Sequence, residues 1–106
     1  MDFKLTAKNF RLTESLRNVA QEHADRLDRF SHNIIELSLV FEKEKSLDFV
    51  ELTATIKKGF LRADVRTSDM YQGISEVFNK VEKQLKKHEE KLRERKRLAS
   101  KHMGRL

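Results

Sequence analysis

Between Ser68 and Leu98 the chain reads SDMYQGISEVFNKVEKQLKKHEEKLRERKRL, and no Pro interrupts it. Apolar side chains recur at Ile74, Phe78, Val81, Leu85 and Leu92, with His88 in the remaining slot. Steps of three and four residues place them on one face of a helix. At ~100° per residue, Lys80, Lys83, Lys87 and Lys91 fall together on a different face. A helix with one apolar stripe draws most of its stability from packing that stripe. The rest of the chain must therefore supply a surface that covers the stripe and leaves the lysine line in solvent.

Residues 2–67 read as that surface. In 2–8, Phe3, Leu5 and Ala7 alternate with Lys4, Thr6 and Lys8, the pattern of a half-buried strand. Thr13 suits an N-cap, and Glu14 suits the first turn of the helix dipole. From Glu14 to Phe30, apolar groups at Leu16, Val19, Ala20, Ala24, Leu27 and Phe30 predict an amphipathic helix, ended by residues 31–33. A second strand, 34–42, places Ile35, Leu37, Leu39 and Phe41 on one face. After a mostly charged loop, a third strand, 49–57, turns Val50, Leu52, Ala54 and Ile56 inward. Lys58 and Gly59 mark a tight turn. A fourth strand, 60–67, turns Leu61, Ala63 and Val65 inward. Ser68 is the expected cap of the second helix, with Asp69 in its first turn. Met70 and Tyr71 are expected to pack on the strand ends. The functional option for Tyr71 is a stacking platform for a base. Gly73, unfavourable inside a helix by ~1 kcal/mol relative to Ala, implies a close approach to the sheet or to a ligand, with close packing on the sheet the first reading.

The order β-α-β-β-β-α makes this an α+β domain. The first two strands pair in parallel through a right-handed crossover, and the later ones pair antiparallel. The result is a four-stranded mixed sheet with two helices packed on one face. The 106 residues suit a single domain. Its expected limits are 1–92, with 93–106 a basic, mobile C-terminal extension that frays or projects free of the body.

Charge is uneven along the chain. Residues 80–106 carry 11 basic and 4 acidic groups, whereas residues 1–79 carry 12 and 13. A basic stripe on a nearly neutral body points to a polyanion docked at one place. There is no Cys, which excludes disulfides and thiolate metal sites and fits a reducing, cytoplasmic setting. The start, MDFKLTAK, has no apolar core of a signal peptide, and no apolar run reaches the ~18 residues of a membrane span.

No catalytic or metal motif emerges. A Gly-rich phosphate loop, a Gly-x-Ser-x-Gly elbow, His-Glu-x-x-His and paired Cys are all missing. His23, His32, His88 and His102 do not share ligand spacing on one face, and His88 reads as a structural residue. The carboxylates are spread among basic groups, with Glu82 and Lys86 spaced as an i,i+4 pair. The sequence therefore predicts a protein that is not an enzyme, with no cofactor and no metal.

The residues do resemble a known family over about 3–92. Leu5-Thr6-Ala7-Lys8, Leu12-Thr13 with Leu16-Arg17, Arg26-Leu27-Asp28-Arg29-Phe30 and Ala54-Thr55-Ile56 occur in register. The most specific piece is Asp69-Met70-Tyr71 with Ile74, followed by Asn79-Lys80-Val81-Glu82-Lys83-Gln84-Leu85-Lys86-Lys87-His88. Together these resemble the short ribosome hibernation-promoting factors, the family of ribosome-associated inhibitor A and the sigma modulation proteins. The resemblance implies a βαβββα domain that binds the small ribosomal subunit where mRNA and tRNAs meet the decoding region. It implies inhibition of translation and preservation of idle ribosomes in stress or stationary phase. The rRNA contacts it implies are Lys80, Lys83 and Lys87, Arg26 and Arg29, and Lys8; the stripe geometry adds Lys91. The partner is thus the small subunit through its rRNA, with no DNA, no membrane and a monomeric protein off the ribosome. Ending at Leu106 with a basic tail, the chain is nearer the short hibernation-promoting branch, without the dimerising domain of long members. Its Lys57-Lys58-Gly59 hairpin is more basic than the family's usual turn, and Glu89 and Glu90 interrupt the basic run.

Other classes remain open on the residues alone. One is a generic RNA-binding module. Another is a partner-binding protein using the second helix as a coiled-coil strand. A third is a membrane-surface helix.

Overall fold

The computed structural model describes the backbone of residues 1–103, with side chains through residue 96. Arg97, His102 and the remainder of the expected extension lie outside the described side chains. The elements are β1 (Asp2–Lys8), α1 (Glu14–Phe30), β2 (Ile34–Lys43), β3 (Asp48–Ile56), β4 (Gly59–Thr67) and α2 (Met70–Met103). The sheet order is β1-β2-β3-β4. β1 and β2 are parallel, with Leu5 opposite Leu39, and the other pairs are antiparallel. This is the expected mixed sheet.

Local chemistry sets the element ends. Thr13 Oγ1 accepts from the Leu16 N–H at 3.1 Å, the N-cap bond that starts α1. At the other end the Ser31 N–H reaches the Leu27 carbonyl at 3.0 Å. α2 is capped differently from the expectation. Asp69, not Ser68, is its N-cap: Asp69 Oδ1 accepts from the Tyr71 N–H at 2.9 Å, and the Asp69 carbonyl from the Gly73 N–H at 3.0 Å. Thr67 fixes that turn by accepting from the Asp69 N–H at 3.1 Å.

One sheet face is packed and the other wet. Leu37, Leu39, Phe41, Val50, Leu52 and Ala54 are fully buried against Leu16, Ala20, Ala24 and Leu27 of α1 and Ile74, Val77, Val81 and Leu85 of α2. α2 lies over β3 and β4 and beside α1. Gly73 permits its close approach: a Cβ there would lie 2.9 Å from both Thr67 Cγ2 and Val50 Cγ2. Four side chains expected on packed faces are exposed instead, Leu92 of the α2 stripe among them. A β-bulge between Ile34 and Glu36 shifts the alternation, so Ile34 is buried and Ile35 is 56% exposed. Phe30 and Tyr71 are each 42% exposed, Tyr71 being held to α1 through its hydroxyl on Ser15 Oγ at 2.8 Å.

The β3–β4 hairpin also differs in detail. Ile56 pairs with Gly59, so the two-residue loop is Lys57-Lys58. Neither lysine has positive φ; Gly59, at φ 152°, absorbs the turn. The two lysines therefore stand at the tip, both exposed.

Candidate nucleic-acid interface

α2 presents Lys80, Lys83, Lys87 and Lys91 because its other side is held down. Val77, Val81 and Leu85 are fully buried, and Phe78 nearly so. Gln84 donates to the Arg62 carbonyl of β4 at 3.0 Å, which pins one flank. Glu89 pins the other: its Oε1 accepts from Ser31 Oγ at 2.6 Å and from Asn33 Nδ2 at 2.9 Å. With both flanks fixed, helix rotation is fixed, and the four lysines are all exposed. Glu89, which breaks the basic run in sequence, is thus a structural residue. The spaced pair Glu82 and Lys86 does not close into an ion pair. Among the described residues the ion pairs are Lys4–Glu36 at 3.2 Å and Arg66–Glu44 at 3.6 Å, and both lie away from the stripe.

α1 brings basic groups to the same side. A shallow groove between the helices is lined by His23, Arg26 and Leu27 from α1 and by Phe78, Asn79 and Glu82 from α2. It runs into a second depression lined by Phe30, Asn79, Glu82, Lys83 and Lys86. Arg26 therefore joins Lys83 across the helix pair, with exposed Arg29 one turn further along α1. The exposed Phe30 ring and Lys86 also belong here. Spacing alone places Phe30 in the core and Lys86 in a salt bridge, so neither is legible in the sequence as part of this surface. The His23 ring lies 5.3 Å from the Phe78 ring. Burial, and then the nearby Arg26 charge, hold the His23 pKa below the usual imidazole value, with Glu22 opposing.

Lys8 is not with the others. It ends β1 on the strand face shared with Lys4 and Thr6, whereas Phe3 and Leu5 pack on the core. Its side chain is therefore on the wet face of the sheet, opposite the helices. That face is mixed in charge: Arg62 stacks on Phe60 and Arg66 on Phe49, among Glu36, Glu51 and Asp64. No cluster of His, Asp or Glu suited to a metal ion occurs among the described residues, and no described helix is long and apolar enough to cross a membrane.

Fold and charge define a class: a single βαβββα domain whose helical side carries exposed Lys and Arg side chains. The chain belongs to the family described as Sigma 54 modulation protein / S30EA ribosomal protein, whose model matches residues 3–93. It is 29% identical over 98 residues to the ribosome hibernation promotion factor of Staphylococcus aureus (strain COL), covering 90% of this chain and 52% of that protein. The chain thus spans about half the length of that relative. Two solved structures share the fold. A ribosomal subunit interface protein from Coxiella burnetii superposes with a TM-score of 0.78 at 20% identity, covering 84% of this chain and 98% of the other. The N-terminal domain of Protein Y from Thermus thermophilus does so with 0.73 at 22% identity, covering 83% and 99%.

Proposed function

We propose that this protein is a ribosome hibernation factor. It binds the small ribosomal subunit near the decoding region and the mRNA/tRNA channel, blocks translation, and preserves idle ribosomes in the cytoplasm under stress. The observation that carries the proposal is the division of α2: its apolar stripe is spent on the sheet, and its lysine stripe is left free beside Arg26 and Arg29. Such a surface meets successive phosphates of folded RNA and needs no base-edge readout. Inhibition follows from occupancy, so no catalytic group is required. A coiled-coil role fits less well, because the stripe is buried from Ile74 to Leu85 and leaves only Leu92 as an apolar knob among the described side chains.

The test has two parts. In a sucrose gradient of stationary-phase extract the protein should migrate with small subunits and whole ribosomes; absence from those fractions counts against the proposal. With purified small subunits, Lys80→Gln/Lys83→Gln/Lys87→Gln should weaken binding strongly while changing folding stability by no more than about 0.5 kcal/mol per site. Each lost phosphate contact should flatten the log–log salt dependence by roughly 0.7–0.9. An unchanged slope would reduce the stripe to a solvated face.

A further inference from the structure

Where α2 runs past the end of the sheet it overhangs the β3–β4 hairpin, and a cleft of about 370 Å³ opens beneath it. Ile56, Lys57 and Lys58 line it from the hairpin, Asn33 from the α1–β2 turn, and His88, Leu92 and Arg95 from α2. Its floor is apolar, with Leu92 left 42% exposed and His88 half-buried. Its rim is cationic: Lys57, Lys58 and Arg95 are exposed, and no lining residue is acidic. Glu89, the nearby acid, is engaged by Ser31 and Asn33.

We infer that this cleft takes one unstacked nucleotide of single-stranded RNA. The base lies against His88 and Leu92, and the flanking phosphates lie on Lys57, Lys58 and Arg95. The charge pattern selects this occupant. A neutral apolar ligand leaves three cations unmatched, and a bare anion leaves the apolar floor in water. A nucleotide supplies both a flat π-face and a phosphate. The volume is at the small end of ligand pockets, roughly 300–1,000 Å³, so one residue enters and not a duplex. The cleft opens on the apolar-stripe face of α2, where His88 and Leu92 follow Leu85, and its cations come from the hairpin and Arg95 rather than from the line of Lys80 to Lys91 on the other face. The inference deepens the proposed RNA reading and rests on it for the ribosomal context, but the cleft can be probed separately.

The probe is a single-stranded RNA decamer, compared with a duplex of the same sequence and with poly-glutamate, on the full chain. The single strand should shift the NMR signals of the Leu92 methyls and the His88 ring; the duplex should shift lysine-stripe signals but not those two. Leu92→Ser, which leaves charge unchanged and alters an exposed side chain, should lower decamer affinity several-fold by removing the apolar contact beneath the base, at constant salt slope. Lys58→Gln should instead flatten that slope. Equal cleft shifts from duplex and single strand, or none from either, overturn the inference. Shifts from poly-glutamate equal to those from the decamer reassign the cleft to an acidic protein segment and overturn it too. Small-subunit binding separates the two claims. If the stripe variant fails to bind and Leu92→Ser binds normally, the ribosome reading stands and the cleft is empty of RNA. If neither variant affects subunit binding while the decamer still enters the cleft, the nucleotide site stands and the ribosome reading falls.

Discussion

At the scale of single residues, the sequence placed Gly73 correctly as a point of close packing, and the two 2.9 Å approaches to Thr67 and Val50 say why. Both neighbours are β-branched and stiff at χ1, and Val50 is fully buried, so neither methyl can swing aside cheaply. Gly73→Ala gains about 1 kcal/mol of helix propensity against overpacking of about 1–3 kcal/mol. Thermal melting should therefore show a lower Tm, and a higher one would mean that Val50 has room to turn. His23 gives a second expectation at this scale. Its folded pKa is lowered, chiefly by burial and then by Arg26. Between that value and the unfolded value of about 6.5, the unfolded chain binds more protons, so stability falls as pH drops through the window. His23→Gln should reduce the loss of stability in urea melts between neutral and mildly acidic pH; an unchanged pH profile would show that His23 does not contribute. Neither the burial of His23 nor the bulge that swaps Ile34 for Ile35 could be read from spacing. Each depends on what a neighbouring element does: α2 packing over His23, and β3 pairing against β2.

At the scale of elements, periodicity made both helices and all four strands legible, because each has one packed face with its own period. The ends were less so. Asp69 outcompetes Ser68 as cap because Thr67 accepts from the Asp69 N–H and turns the backbone one residue later. The anchoring of α2 was hidden altogether, since Glu89 and its partners are 56 and 58 residues apart. That anchor is where the helix stops being held: Leu85 is fully buried, and residues 93–96 are all exposed although the helix continues to Met103. Glu89→Ala removes a carboxyl acceptor from two donors, a loss of roughly 1.5–3 kcal/mol by comparison with other hydrogen bonds to charged groups, towards the low end for a half-exposed site. Hydrogen exchange should quicken around residues 86–92 while the sheet keeps its protection. Truncation after Leu92 should behave in the opposite way. It removes residues 93–96, whose side chains are exposed, together with the basic residues that follow them in sequence, so Tm should hold while small-subunit binding weakens modestly and the off-rate rises. Unfolding on truncation would show that the extension belongs to the core. Unaltered binding at low salt, where electrostatic losses are largest, would remove it from the interface.

At the scale of the whole molecule, the body and its helix form an object 62 × 23 × 18 Å with most of its excess charge on one side and end. Lys8 does not fit a one-sided picture. The family pattern groups it with the helix cations, yet it projects from the wet face of an edge strand, with the sheet between it and Lys83. A straight duplex lying along α2 cannot reach both. A folded RNA that surrounds the domain, as the walls of a channel would, can contact both at once. The two modes of binding therefore separate on one residue. On a naked RNA duplex, Lys83→Gln should weaken binding and Lys8→Gln should do nothing. On the small subunit, both should weaken it, each flattening the salt dependence by roughly 0.7–0.9, and their effects should add, because sites this far apart with no shared partner are independent. Lys8→Gln without effect on the subunit would mean that the protein docks by its helical side alone, and that Lys8 is a solvated strand end. A loss on the duplex as large as on the subunit would mean that Lys8 and Lys83 reach a common surface, and the sheet does not divide the interface in two.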